Sequence, residues 1–182
     1  MRSHTLLCML FVIGACSGAN PSKGGVSAGS SVVRIGYANE SPFAYIDGDR
    51  LTGEAPEVAR RVLSRMGKSE IEGVMTEFGS LVPGLKARRF ELVAAGMYVT
   101  PARCKEVLFS EPTYCIAEAM LLRRGNPLSL HAYADVAKHE GTRLGVVRGT
   151  VQHGYAEHSG IPAARIVLFP DPPSALAGLS SE

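Results

Sequence analysis

From Val32 onward, short apolar segments alternate with longer stretches of helical periodicity. Val32-Val33-Arg34-Ile35-Gly36-Tyr37 predicts a strand. Between Gly53 and Met66 the residues Ala55, Val58, Ala59, Val62, Leu63 and Met66 recur at i, i+3 and i+4, which predicts one apolar helix face stopped by Gly67. Ile71 to Thr76 predicts a second strand. A helix follows, with Ser80 as its cap, Pro83 in its first turn and Leu81, Val82 and Leu85 inward. The unbroken apolar run Leu92 to Met97 predicts a buried parallel strand.

The second half repeats the alternation. Strands are expected at Ala117 to Leu122, Leu144 to Val147 and Arg165 to Phe169. Helices are expected at Leu130 to His139, from Gly149-Thr150 to about His158, and from Pro172 to Leu179. Strand–helix alternation implies parallel sheets with right-handed crossovers. Two such sets, joined by Phe109 to Ile116, imply an α/β fold of two lobes. Lobe one is expected over 32–114 and a partial lobe two over 115–182. The second set supplies only two or three strands, so the expectation is a piece of a longer chain.

The first 31 residues read differently. Arg2 precedes Leu6 to Ala15, an apolar run too short to span a bilayer but suited to a secretory leader. It ends Ile13-Gly14-Ala15-Cys16, small residues before a cysteine. This resembles a bacterial lipobox and gives a leader over 1–16 with Cys16 lipidated. Ordinary cleavage near Ala15 or Ala19 is the alternative. Ser17 to Ser31, rich in Gly and Ser, reads as a flexible tether. Cys104 and Cys115 could pair in an oxidising compartment, or stand as two separate thiols, which is the favoured reading.

Composition excludes several classes. With 19 basic and 17 acidic residues the chain is nearly neutral, so neither nucleic acid nor an anionic membrane surface is implied. No Cys-x-x-Cys or His-Glu-x-x-His motif is present, and no dinucleotide or phosphate loop follows a strand. His153 and His158 do not share a helix face, so no metal site and no cofactor is expected.

Chemistry gathers instead where the first-lobe strands end, the place at which open α/β sheets take ligands. Glu40 and Phe43 follow the first strand, Phe78 the second, and Tyr98 with Arg103 the third. An Arg fork suits a carboxylate. Aromatic faces beside an acid suit a delocalised cation. Together they suit a small zwitterion. The plainer reading makes Phe43 and Phe78 core and leaves both charges in solvent. Gly149-Thr150, opening a helix, offers N–H groups to a carboxylate or is a simple helix cap.

The ordered motifs carry a resemblance. Ile35-Gly36-Tyr37, Ser41-Pro42-Phe43, Leu51-Thr52-Gly53, Leu81-Val82-Pro83-Gly84-Leu85, Ala95-Gly96-Met97 and Thr100-Pro101-x-Arg103 resemble the amino-acid class of solute-binding proteins of bacterial ABC importers. Arg34 to Glu40, Gly53 to Ala59, Thr76 to Leu81 and Leu144 to Val147 are similar to its ectoine- and hydroxyectoine-binding members, as are Phe169-Pro170-Asp171 and Ser174-Ala175-Leu176. The resemblance implies a periplasmic binding protein type 2 clamp, monomeric, that delivers one small ligand to permease subunits in the membrane. It implies that Arg103 takes the ligand carboxylate, that Phe43, Phe78 and Tyr98 form an aromatic box, that Glu40 meets the ring nitrogens, and that Gly149 and Thr150 face them from lobe two. Arg88 departs from the resemblance, standing where a Gly is usual at the end of the second helix. The same fold also hosts a periplasmic cyclohexadienyl dehydratase, so an enzyme is the rival from another class, with Glu40 as the first-lobe candidate for the acid/base residue it would need in the pocket. A binder of ordinary polar amino acids is the nearer alternative, and a receptor sensor domain a further one.

Overall fold

The computed structural model of the protein describes residues 32–181. The expected leader, the lipidated Cys16 and the tether lie outside the described residues. The elements, in order, are β1 (Val33–Tyr37), β2 (Tyr45–Asp47), β3 (Arg50–Thr52), α1 (Glu54–Arg65), β4 (Ile71–Met75), α2 (Leu81–Lys86), β5 (Leu92–Val93), α3 (Pro101–Cys104), α4 (Tyr133–Lys138), β6 (Leu144–Val147), α5 (Val151–His158), β7 (Ile166–Phe169) and α6 (Pro172–Ser180).

β1 is the centre of a parallel sheet ordered β4-β1-β5. Its register sets Ile35 against Gly73 on one side and against Leu92 on the other. A strand with neighbours on both sides and cover on its faces must be apolar, and Val33, Ile35 and Tyr37 are buried. Helix α1 lays Ala55, Ala59 and Leu63 against this core. The other residues of the predicted stripe turn outward: Val58, Val62 and Met66 are 39%, 51% and 65% exposed. Both triplets run at i, i+4, i+8, so a single spacing rule cannot say which of two adjacent rows meets the sheet. The helix ends as expected before Gly67, with Lys68 N–H donating to the Leu63 carbonyl at 2.9 Å.

On the other face of the sheet, the ring of Phe90 is wedged between two glycines. A Cβ on Gly36 of β1 would stand 2.5 Å from that ring, and one on Gly84 of α2 would stand 2.6 Å from it. Phe90 is 1% exposed and packs with Phe78, Leu81 and Ala95. α2 is led in by a 3₁₀ turn over Phe78–Ser80, and the Ser80 side chain makes no capping bond. Beyond α2, Arg88 does occupy the left-handed region, at φ 57°. Its carbonyl accepts from Arg34 Nη2 at 3.1 Å, and Arg34 also pairs with Glu91.

Two strand expectations are corrected. Of Leu92 to Met97 only Leu92 and Val93 join the ladder, although Ala94 and Ala95 stay buried. The chain leaves the sheet there to reach the cleft. Ala117 to Leu122 forms no strand. Met120 and Leu122 still pack against the Leu130, Val136, Ala156 and Ile161 cluster, while Leu121 is exposed. The alternation of side chains is therefore present, but among the described residues the backbone has no partner strand.

β6 and β7 form a separate parallel pair, Leu144 opposite Ile166 through Val147 opposite Phe169. α5 crosses between them. Arg165, just before β7, closes the end of α4: its guanidinium donates to the Val136, Ala137 and Thr142 carbonyls at 3.0, 2.7 and 3.2 Å, and to that of His139. A cation on the unsatisfied carbonyls of a helix C-terminus completes their hydrogen bonding and opposes the helix dipole. Asp135 serves the other end, accepting from the His131 and Ala132 N–H groups at 3.0 Å each. Cys104 and Cys115 are both free and exposed.

Candidate ligand-binding cleft

Local chemistry explains how each expected side chain is held. The N–H groups of Glu54 and Ala55, unsatisfied at the start of α1, donate to the carbonyls of Pro42 and Phe43, each at 3.1 Å. The segment bearing Phe43 is thereby tied to that helix. Gly53 lies so close that a Cβ on it would stand 2.6 Å from the Phe43 carbonyl oxygen. Glu40 and Ala44 exchange backbone bonds, which closes the turn between them. Phe78 leads the 3₁₀ turn after β4 and is buried. Arg103 is set by Thr-Pro-x-Arg: Pro101 opens α3, and the Thr100 hydroxyl accepts from the Arg103 N–H at 3.2 Å.

These side chains meet. Glu40, Phe43, Phe78, Tyr98, Arg103 and Thr150 line one cavity of about 70 Å³. Gly149 lines a second cleft of about 240 Å³, on which Phe78 and Arg103 also border. The Arg103 guanidinium lies over the Phe78 ring, 5.5 Å from its centroid. It donates to the Tyr98 carbonyl at 2.8 Å and to the Gly149 carbonyl at 3.0 Å. Burial pulls Arg103 below the usual arginine range and pushes Glu40 above the usual carboxylate range. Each charge thus sits where water solvates it poorly, and a group of opposite sign entering the cleft would relieve that cost.

The side of the cleft formed by β6 and α5 approaches through Gly149. At φ 78° this residue is in the left-handed region, and a Cβ on it would stand 2.4 Å from the Gly79 Cα. Val147 packs into the Phe78 cluster beside it. Thr150 precedes α5, but its hydroxyl donates back to the Val147 carbonyl at 2.7 Å and makes no capping bond. Thr150 thus holds the cap position of α5, as the simpler reading expects, but without the side-chain bond of a cap, its hydroxyl being taken by the Val147 carbonyl.

Other residues at the wall or packed against it were not foreseen. Tyr114 stacks on Phe43, with centroids 5.8 Å apart and planes 7° from parallel. Gly96, Ile116, Val151 and Gln152 complete the cavity wall. Tyr114 and Ile116 come from a segment without regular structure, where no periodicity marks which side chains turn inward. Gln152 lies two residues beyond the Gly-Thr pair, and the turn geometry alone decides that it faces the cleft.

The profile of the bacterial extracellular solute-binding proteins, family 3, matches residues 33–163. The chain belongs to that family. A probable amino-acid ABC transporter periplasmic-binding protein, y4tE, of Sinorhizobium fredii (strain NBRC 101917 / NGR234) is 39% identical over 140 residues, 75% of this chain and 46% of the relative. The arginine-binding extracellular protein ArtP of Bacillus subtilis (strain 168) is 31% identical over 145 residues, 80% of this chain and 54% of ArtP. The crystal structure of EhuB in complex with hydroxyectoine is similar at a TM-score of 0.79 and 36% identity, over 82% of this chain and 59% of that one. The fold is that of the type 2 periplasmic binding proteins. The similar curated proteins are for the most part binding proteins of transport systems. This family 3 chain spans about half the length of the curated relatives it matches.

Proposed function

We propose that this family 3 protein binds a small zwitterion of the ectoine or hydroxyectoine type and delivers it to the permease subunits of an ABC importer. The observation that carries the reading is the convergence of Glu40, Phe43, Phe78, Tyr98 and Arg103 on one cavity. Arg103 takes the ligand carboxylate through its remaining N–H groups. Phe43, Phe78 and Tyr98 enclose a delocalised cation, and Glu40 meets its N–H groups. Gly149 and Thr150 close the site from the lobe that runs from residue 115, against a first lobe over 32–114. Binding breaks no bond, so the role is not enzymatic. Retention at the membrane is through a lipid on Cys16.

Calorimetry and thermal melts with ectoine, hydroxyectoine, L-arginine and L-glutamine test the ligand. Saturable ectoine binding, with a melt raised in proportion to the logarithm of ligand concentration, is the expected outcome. A melt raised by arginine and not by ectoine would transfer the assignment to polar amino acids. That second reading has its own support in the similarity to ArtP, named for arginine. Turnover of prephenate or arogenate would overturn the non-enzymatic role.

A further inference from the structure

Behind the wall of the cleft lies a polar chain that the ligand reading does not use. Gln152 stands in the first turn of α5 and lines the cavity. Its Nε2 donates to Glu118 Oε1 at 3.0 Å. The other oxygen of Glu118 accepts from the Tyr133 hydroxyl at 3.3 Å. Tyr133 is steadied in turn by Tyr155, edge-on at 6.4 Å. Burial first, and then the Glu118 charge, push the Tyr133 hydroxyl up to about 12. Near neutrality it therefore remains an O–H and serves Glu118 as a donor.

The chemistry of these groups dictates an orientation. A carboxylate only accepts, whereas a glutamine amide has one donating end and one accepting end. Facing Glu118, Gln152 must present its NH₂. The carbonyl Oε1 is left as the end that can serve a guest.

We propose that Glu118 is a positioning residue for the cleft: it holds the Gln152 amide with its carbonyl oxygen free, so that this wall selects a solute presenting an N–H or O–H donor. This rests on the reading of the cleft given above and adds to it a rule about the solute. Donors belong on the Gln152 side and the carboxylate at Arg103. Burial and then the charges of Glu118, Tyr155 and Glu40 push the hydroxyl of Tyr98, another residue of this cavity, up. A solute turned end for end would set its carboxylate oxygens against an accepting amide oxygen.

Two measurements on the full chain decide the matter. The first follows the Gln152 side-chain NH₂ pair in ¹H–¹⁵N spectra of wild type, Glu118→Gln and Tyr133→Phe. A glutamine at 118 can offer either end, so the Gln152 pair is expected to shift and to exchange faster with solvent. Glu118 is exposed, so the fold should survive, and circular dichroism checks that it does. The second is calorimetry with ectoine and L-arginine on wild type, Glu118→Ala, Gln152→Leu and the double variant. Each single change should weaken binding roughly fivefold, the worth of one hydrogen bond. The double variant should lose no more than the weaker-binding single variant, because both changes remove one unit. An unmoved Gln152 pair in Glu118→Gln overturns the proposal, and so do additive losses in the double variant. Wild type that binds neither probe sinks the reading of the cleft itself. The amide resonances then decide alone whether Glu118 holds Gln152.

Discussion

Arg103 Nη2 donates to the carbonyl of Gly149 at 3.0 Å, across 46 residues of chain. The side chain assigned to the ligand carboxylate is therefore also a tie between the β1 sheet and the β6-β7 pair. Its two bonds to carbonyls fix the plane of the guanidinium, and the N–H groups that remain are aimed before any ligand arrives. Arg103→Ala should cost about 2–5 kcal/mol of ligand binding, because it removes a buried charge-assisted fork. Arg103→Lys should recover little, since an ammonium cannot keep both carbonyl bonds and also make the fork. Calorimetry with ectoine and with L-arginine checks both variants. Unchanged affinity in Arg103→Ala would remove Arg103 from the site.

The approach of Gly149 to Gly79 predicts a separate sensitivity. Gly149→Ala places a Cβ 2.4 Å from the Gly79 Cα, and backbone cannot swing aside as a side chain can. The left-handed conformation adds about 1–2 kcal/mol for a residue with a Cβ. Affinity should fall while β1, β4 and β5 keep their protection in hydrogen exchange. A variant binding as well as wild type would show that the two sides need not come this close.

Glu40 should behave in opposite ways in stability and in binding. Burial raises its folded-state value above the usual carboxylate range. The folded protein then holds the proton more tightly than the unfolded chain. The sign follows from linkage: the cost of the buried charge is present above the raised value and is relieved as pH falls through it. Glu40→Gln removes that cost, so the unliganded melt should rise at neutral pH. The same change deletes a charged acceptor and should weaken a cationic ligand by about 1.5–3 kcal/mol. Melts with and without ectoine at pH 7 read both effects, and a lowered unliganded melt would contradict the account. In wild type, ectoine affinity should decline on acidification at a higher pH than an ordinary glutamate would give.

Phe90 predicts where stability resides. Its ring fills the gap between Gly36 and Gly84, so Phe90→Ala leaves a void that the β1 and α2 backbones would have to collapse to fill. The expected loss is about 3–5 kcal/mol, read as a lower midpoint in urea with little change in slope. Gly84→Ala should also destabilise, through a contact 2.6 Å from the ring. A small effect in both would mean that Phe90 is less tightly enclosed than its 1% exposure indicates.

The amino-acid order alone carried the α/β class, the parallel strands at Val33–Tyr37 and Ile71–Met75, and the end of α1 before Gly67. These follow from local causes, namely apolar periodicity and the cost of ending a helix. The same holds for the turn that sets Arg103, because Thr100, Pro101 and Arg103 lie within four positions and need no distant partner. The aromatic positions after successive strands were legible too, since parallel neighbours deliver their C-terminal ends to one edge. Four matters were decided only in three dimensions: which row of α1 faces the sheet, the loss of a strand at Ala117 to Leu122, the seat of Phe90 between two glycines, and the arrival of Ile116 and Gln152 at the cleft. Each is a contact between residues far apart in the chain, and a spacing rule describes only a segment's own face. Whether that face finds a partner depends on how the other segments pack. For a strand it depends on a neighbouring backbone to share hydrogen bonds, and for a cleft on which irregular loop the packed sheets bring alongside it.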